Sequence, residues 1–254
     1  MKQLFTLFSA VLISLQVFSQ IPNLQWANLT DTMGNMKPYA VTTDAAGNVY
    51  TAGVFAVAVG YNFDFDPGPD TLYLTGSGDD DVYVQKFAPN GQLLWAKAFG
   101  GIYIEQANDI EVDTSGNVYV AGTFQQTVDF NPGAAVNSIS CVGVYNSYVL
   151  KLDANGNYVW AKSIQSGYAL AYCLAVDKAG NVYSGGYVDG SGNFDPNGTN
   201  LNLTGGRIYI QKLSANGGFL WAKLITGGGG DDAAYALELD TANNVLVAGL
   251  FAGT

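Results

Sequence analysis

Asp113-Thr114-Ser115-Gly116-Asn117-Val118-Tyr119 opens a stretch that passes through Tyr148-Val149-Leu150-Lys151 and Asn155-Gly156 and ends on Trp160-Ala161-Lys162. The whole stretch recurs along the chain. The aspartate turn appears earlier as Asp44-Ala45-Ala46-Gly47-Asn48-Val49-Tyr50 and later as Asp177-Lys178-Ala179-Gly180-Asn181-Val182-Tyr183, with a drifted fourth copy, Asp240 to Leu246. The tryptophan tripeptide recurs at Trp95 and Trp221, and Trp26-Ala27-Asn28 is a degenerate earlier copy, so successive tryptophans lie 69, 65 and 61 residues apart. A fixed period of this length marks a repeat architecture, in which each repeat is one supersecondary unit.

Each repeat reads as four short strands. In the second copy Ala107–Val112 alternates toward Asp113, the Asp-Thr-Ser-Gly-Asn segment supplies the local hydrogen bonds and positive φ of a tight turn, and Val118–Phe124 is the next strand. After a longer loop, Ser147–Leu152 alternates again, Asn155-Gly156 makes a hairpin, and Tyr158–Ile164 carries the tryptophan. A four-stranded sheet apolar on both faces cannot bury them alone, and radial stacking on its neighbours solves the problem. The expected fold is therefore all-β: a β-propeller of four-stranded antiparallel blades, with three full repeats and a partial one. Trp95, Trp160 and Trp221 with Tyr50, Tyr119 and Tyr183 are expected to fill the space between blades, and Gly47, Gly116 and Gly180 to supply the turns. The pairs Ala52-Gly53, Ala121-Gly122, Gly185-Gly186 and Ala248-Gly249 fit places where backbones come close.

Composition agrees with this reading. Apolar residues make up 48% of the 254 and charged residues only 12%, and 32 glycines favour short strands and tight turns. Met1-Lys2-Gln3 followed by the mostly apolar run Leu4–Val17 has the length of a signal peptide, too short for a membrane span, with cleavage expected after Ser19. The domains are thus a signal peptide over 1–19 and propeller repeats over 20–254, drawn from tryptophan to tryptophan as 26–94, 95–159, 160–220 and a partial 221–254. A net charge of −11, without a cationic stripe, argues against nucleic acid and anionic membrane surfaces, and no segment after the leader is apolar for long enough to insert in a membrane. Cys141 and Cys173 form no CxxC pattern and indicate neither a disulfide framework nor a thiolate metal site.

The string Asp-x-x-Gly-Asn-Val-Tyr-x-x-Gly, the Lys151-Leu152-Asp153-Ala154-Asn155-Gly156 strand end and Trp-Ala-Lys together resemble the bacterial seven-bladed (SBBP-type) β-propeller repeat. The resemblance covers about residues 26–254. It implies a secreted or cell-surface protein of a Gram-negative bacterium, in a family whose large members often carry a C-terminal sorting domain. Because three and a half blades cannot close a ring, the chain is expected either to be an open arc of a longer protein, with further repeats as its neighbours, or to close by oligomerising, the former being the better reading.

Candidate sites are few. Asp64-Phe65-Asp66-Pro67-Gly68, Asp129-Phe130-Asn131-Pro132-Gly133 and Asn193-Phe194-Asp195-Pro196-Asn197 recur in the loop after the second strand. Their oxygen-bearing residues at i and i+2 (Asp64, Asp66, Asp129, Asn131, Asn193 and Asp195) could bind calcium, or could make Asx-turns; the spacing of a dedicated calcium loop is missing. Asp79-Asp80-Asp81 and Asp231-Asp232 read as solvated loops. The glycine run 227–230 is no phosphate cradle, since no Gly-Lys-Ser/Thr follows it. With no histidine in the chain, Ser-His-Asp and Cys-His catalysis are excluded. A quinoprotein-like propeller fits poorly, because Asp153 and Gly156 are one residue too close for that family's repeat. The expectation is a non-enzymatic extracellular module for binding or surface structure, with no cofactor and with a protein or a carbohydrate as its ligand; the alternative is part of a polysaccharide-acting propeller enzyme whose catalytic residues lie elsewhere.

Overall fold

The computed structural model describes residues 25–27, 35–56, 62–226 and 232–251. The leader and cleavage site inferred from the sequence lie outside them, as does Asp231. Among the described residues there is no helix.

Twenty strands follow in order. The first module holds β1 (Asn35–Thr43), β2 (Val49–Ala56), β3 (Asn62–Asp64), β4 (Tyr73–Thr75), β5 (Asp81–Phe87) and β6 (Leu93–Phe99). The second repeats the set as β7 (Glu105–Val112), β8 (Val118–Phe124), β9 (Thr127–Asp129), β10 (Ser138–Ser140), β11 (Asn146–Leu152) and β12 (Tyr158–Ile164). The third does so as β13 (Ala169–Val176), β14 (Val182–Val188), β15 (Ser191–Asn193), β16 (Asn202–Thr204), β17 (Ile208–Leu213) and β18 (Phe219–Ile225), and the fourth contributes β19 (Ala233–Leu239) and β20 (Val245–Leu250). Three antiparallel sheets, β1-β2-β5-β6, β7-β8-β11-β12 and β13-β14-β17-β18, are the blades expected from the repeat, and β19-β20 begins a fourth. The chain is a β-propeller arc. Each sheet ends on the tryptophan strand, so the period drawn from one tryptophan to the next is displaced from the blade by that strand.

The long loops are not structureless. Each folds into a two-stranded ribbon, β3-β4, β9-β10 or β15-β16, that tucks a phenylalanine (Phe65, Phe130 or Phe194, all buried) beneath it. Strands of three residues show no readable alternation, which is why the sequence indicates only loops there.

The core lies between blades. One apolar cluster joins the first and second blades around Tyr50, Val84, Ile110 and Tyr148. A second joins the second and third around Tyr119, Trp160, Leu174 and Tyr209, and a third joins the third to β19 around Cys173, Ile210 and Leu237. Alternation decides which face each side chain meets. Val118–Phe124 is buried on both faces, the signature of a strand with a blade on either side.

Every inner strand carries a bulge at the same place, between Pro38 and Ala40, Ala107 and Asp109, Ala171 and Cys173, and Ala234 and Ala236. The bulge drives a carbonyl toward the neighbouring strand, where the second residue of each small pair stands. A Cβ added at Gly53, Gly122, Gly186 or Gly249 would come within 2.1, 1.8, 2.0 or 2.0 Å of the backbone oxygen of Lys37, Gln106, Leu170 or Ala233. These glycines are fixed by close approach of backbone.

The acidic runs divide. Asp79 and Asp80 belong to a loop, but Asp81 and Asp232 are 2% and 0% exposed, contrary to the solvated reading of both runs. Asp81 opens β5 and turns its carboxylate back onto the N–H groups of Ser77 (2.7 Å) and Gly78 (3.3 Å), which accounts for its burial. Cys141 and Cys173 are both free.

Gly122→Ala is expected to cost at least about 2 kcal/mol in urea unfolding because its clash is with backbone, whereas Gly167→Ala, with nothing within 4 Å, should change stability by less than about 0.5 kcal/mol.

Candidate binding site

The repeated residues form one cluster per blade, and its geometry is structural. In the second blade Asp113 accepts the N–H groups of Ser115 and Asn117 on Oδ1, each at 2.9 Å, and the Asn117 amide (2.7 Å) and Tyr119 hydroxyl (3.0 Å) on Oδ2. Asp44 and Asp177 repeat the arrangement, with Gly47, Gly116 and Gly180 at φ of 80°, 81° and 78° in the turn. The drifted copy keeps it too, placing Asn243 at φ 62°. Asn is among the few side chains that tolerate this region. Burial would raise the carboxyl pKa of Asp113, but the donors outweigh it and hold the group below the ordinary aspartate value.

Lys86, Lys151 and Lys212 lie over the rings of Tyr50, Tyr119 and Tyr183 at 5.0, 5.0 and 4.5 Å, and Trp95, Trp160 and Trp221 meet the same tyrosines edge-on. The indoles of Trp95 and Trp160 reach the next module. Trp95 Nε1 donates to Ala154 O (3.2 Å) and Trp160 Nε1 to Ala215 O (3.1 Å), while the rings cover Gly156 and Gly217 of the Asn-Gly hairpins. Trp26 does the same at Pro89 O (3.0 Å) and Gly91.

The ribbon loops use their oxygens internally. Asp64 Oδ1 accepts the N–H groups of Asp66 (3.0 Å) and Leu72 (2.9 Å), and Asp129 Oδ1 those of Asn131 (3.1 Å) and Asn137 (2.8 Å). Asp66 and Asn131 hold Gly68 and Gly133 in the same way, Asn193 holds Asp195, and Asp195 holds Thr199. These are Asx-turns that close the ribbons. Among the described residues no three acidic, histidine or cysteine side chains converge as metal ligands would.

The unrepeated chemistry lies where the inner strands meet. The bulges aim Tyr39, Asn108, Tyr172 and Tyr235 into the space between β1, β7, β13 and β19, a hollow of about 400 Å³ also lined by Asp109, Glu111 and Glu238. Asp109 is a departure from the repeat, since Ala40, Cys173 and Ala236 occupy its position in the other blades. It joins two blades, accepting Leu174 N–H (2.7 Å) as well as Ile110 N–H (2.9 Å), while Asn108 Nδ2 donates to Ala171 O (2.7 Å). Burial pushes the Asp109 carboxyl up to about 6, against these donors and with help from the charge of Glu238. Burial likewise raises Glu111, beside Asp109 and Glu238.

A second groove of about 590 Å³ adjoins the hollow between the third blade and β19-β20. Tyr168, Tyr172, Tyr187, Tyr235, Leu250 and Asp189 line it. Tyr172 and Tyr235 stack at 5.1 Å, and Tyr145, Tyr168 and Tyr187 continue as a chain of ring contacts at 5.3 and 6.0 Å. Arg207 donates to the Tyr187 hydroxyl (3.2 Å) and lies 4.0 Å from Asp189. Tyr187 replaces Val54 and Thr123 of the earlier blades, so the groove is a local departure from the repeat. The sequence reading does not single out these tyrosines, because they come from different strands; their one signal is the aromatic substituted at a repeat position.

No family model matches the chain. An uncharacterized WD repeat-containing protein of Acanthamoeba polyphaga mimivirus is 25% identical over 185 residues, which take in 65% of this chain and 13% of that protein. The chain thus aligns with only a small part of that relative. Among solved structures, the WD40 β-propeller domain of Doa1 aligns with 84% of this chain and 75% of its own, at 12% identity and a TM-score of 0.31. A Bacteroides caccae protein of unknown function covers 75% of this chain and 82% of its own, at 11% identity and a TM-score of 0.26.

Asp113→Ala should lower stability by about 1–3 kcal/mol at pH 7, since it leaves several donors without their acceptor. The carboxyl is depressed in the folded state, so its contribution is complete above the ordinary aspartate value and is lost as pH falls below it. The difference between Asp113→Ala and the parent should therefore shrink on acidification below about pH 4, as followed by thermal melts.

Proposed function

We propose that this chain is a non-enzymatic binding module of an exported β-propeller, of the SBBP repeat type, and that it holds a protein ligand in the tyrosine groove. The observation that carries the reading is the concentration of Tyr168, Tyr172, Tyr187 and Tyr235 on one groove that opens beside an acidic hollow. Tyrosine offers a large, rigid contact surface with a polar tip at small entropic cost, and for that reason it is enriched at protein interfaces. Asp109, Glu111 and Glu238, in a chain of net charge −11, favour a ligand segment with basic residues beside the one that contacts the rings.

A hydrolytic role is less well supported. Asp109 is the acid of the hollow that departs from the repeat, and both of its oxygens are engaged by backbone N–H groups. Such an acid staples blades rather than moving protons to a substrate. The export reading rests on the leader read in the sequence, and it places the module at the cell surface or in the medium.

The test is binding of immobilised basic, neutral and acidic peptide libraries and of a glycan array to the exported protein, the parent alongside a Tyr172→Ala/Tyr235→Ala double variant. Tyr235 is 51% exposed and should be removable without unfolding. Selective capture of basic peptides, weakened at least about tenfold by the double variant, is the expected result. Glycan binding with no peptide binding would replace the protein reading by a carbohydrate one, and peptide binding indifferent to the double variant would remove the groove from the account.

A further inference from the structure

Asp81 and Glu105 meet at the joint between the first and second blades. Asp81 is the first residue of β5 and Glu105 the first of β7, and the two are 2% and 0% exposed. Asp81 Oδ1 and Glu105 Oε1 are each buried with no hydrogen-bond partner. The two side chains crowd one point: a Cβ added to Gly100 would stand 1.9 Å from Asp81 Oδ1 and 2.9 Å from Glu105 Oε2. Asp81 Oδ2 accepts the N–H groups of Ser77 and Gly78, and Glu105 Oε2, the oxygen beside Gly100, also accepts that of Gly101 (2.8 Å).

The next joint shows what the position requires. Asn146 takes the place of Asp81, facing Phe124 of β8 as Asp81 faces the equivalent Phe55 of β2. Its Oδ1 accepts the N–H four residues earlier, from Val142 (2.8 Å), as Asp81 Oδ2 accepts that of Ser77. Its Nδ2 donates to three carbonyls, those of Val142 (3.2 Å), Tyr145 (2.8 Å) and Ser166 (2.7 Å). Asp81 Oδ1 stands where that donor stands. An ionised carboxylate there offers a lone pair to a place built for a hydrogen, and Ala169, at the start of β13, stands where Glu105 adds a second acid.

We propose that Asp81 and Glu105 share one proton in the folded protein at neutral pH, making this joint a blade contact that weakens as rising pH removes the proton. Two buried carboxyls on one site resist double ionisation, as in paired-acid sites generally. A proton supplies the missing donor without needing room, and among the described residues no third acidic side chain converges there as a metal site would require. Burial, outweighing the N–H donors, raises both acids, Glu105 to about 8. The charged groups acting on them are acidic: Asp80 of the preceding loop on Asp81, and Asp81, Asp80 and Asp79 on Glu105. From β11, Tyr148 faces Glu105, its phenol raised by burial and by that charge while its hydroxyl donates to Gln106 O (3.0 Å).

The direction of the pH effect follows from the raised values. The folded state holds a proton that the unfolded state gives up at an ordinary carboxyl pKa. The contribution is full below that value and lost as pH rises to about 8. Melting temperatures from pH 5 to pH 8.5 should therefore fall by several degrees more for the parent than for Glu105→Gln or Asp81→Asn, whose amides supply the donor permanently. An infrared carbonyl band of a protonated carboxyl at pH 7, lost in Glu105→Gln, is the second expected result, and it reads the proton directly. Parallel pH profiles for the parent and a folded variant, or absence of the band, would overturn the proposal. So would a calcium-dependent rise in the parent's melting temperature that Asp81→Asn abolishes, because the shared charge would then be a cation.

Discussion

Much of the arrangement depends on the seating of three indoles on the hairpin of the following blade. Trp26, Trp95 and Trp160 place their rings over Gly91, Gly156 and Gly217 and donate to the carbonyl of the residue two before that glycine. The contact needs three things at once. The hairpin must turn with positive φ, which Gly supplies at 85°, 77° and 76°; its inner surface must be bare of Cβ; and the indole N–H must find an acceptor because it is partly buried. Blade-to-blade distance is thereby fixed at the periphery, while the inner strands fix it at the axis through the apolar clusters.

That arrangement was largely legible in the sequence, because its parts are residues with few substitutes. Asp113, Gly116, Asn117 and Tyr119 recur together since one carboxylate takes four donors there, and no other side chain of that size does the same. The small pairs were legible as close approaches, although the reason, a bulged carbonyl opposite each glycine, needed coordinates. What could not be read was burial set by long-range geometry. Asp81 looks solvated beside Asp79 and Asp80, yet it begins a strand and folds its carboxylate onto backbone donors. The ribbons β3-β4, β9-β10 and β15-β16 are too short to show periodicity. The tyrosine groove gathers side chains from β13, β14, β19 and the turn before β13, and no local window contains them all.

Function divides along the same line. Residues that repeat hold the blades: the Asp turns, the Lys-over-Tyr pairs and the ribbon Asx-turns all satisfy their own backbone or their neighbour's. The residues that break the repeat, Asp109, Tyr187 and the acid pair at Gly100, gather at the hollow, the groove and one joint. An arc of repeated units thus departs from its repeat at the hollow, the groove and one joint.

The bulge in each inner strand has an evolutionary corollary. It turns one residue per blade toward the axis and leaves that residue outside the pairing ladder, while the glycine opposite absorbs the backbone displacement. Asn108 already stands where Tyr39, Tyr172 and Tyr235 stand in the other modules, without any change of register. A duplicated blade therefore arrives with one variable letter facing the axis and a fixed frame around it, so that new specificities can accumulate one substitution at a time without renegotiating the fold.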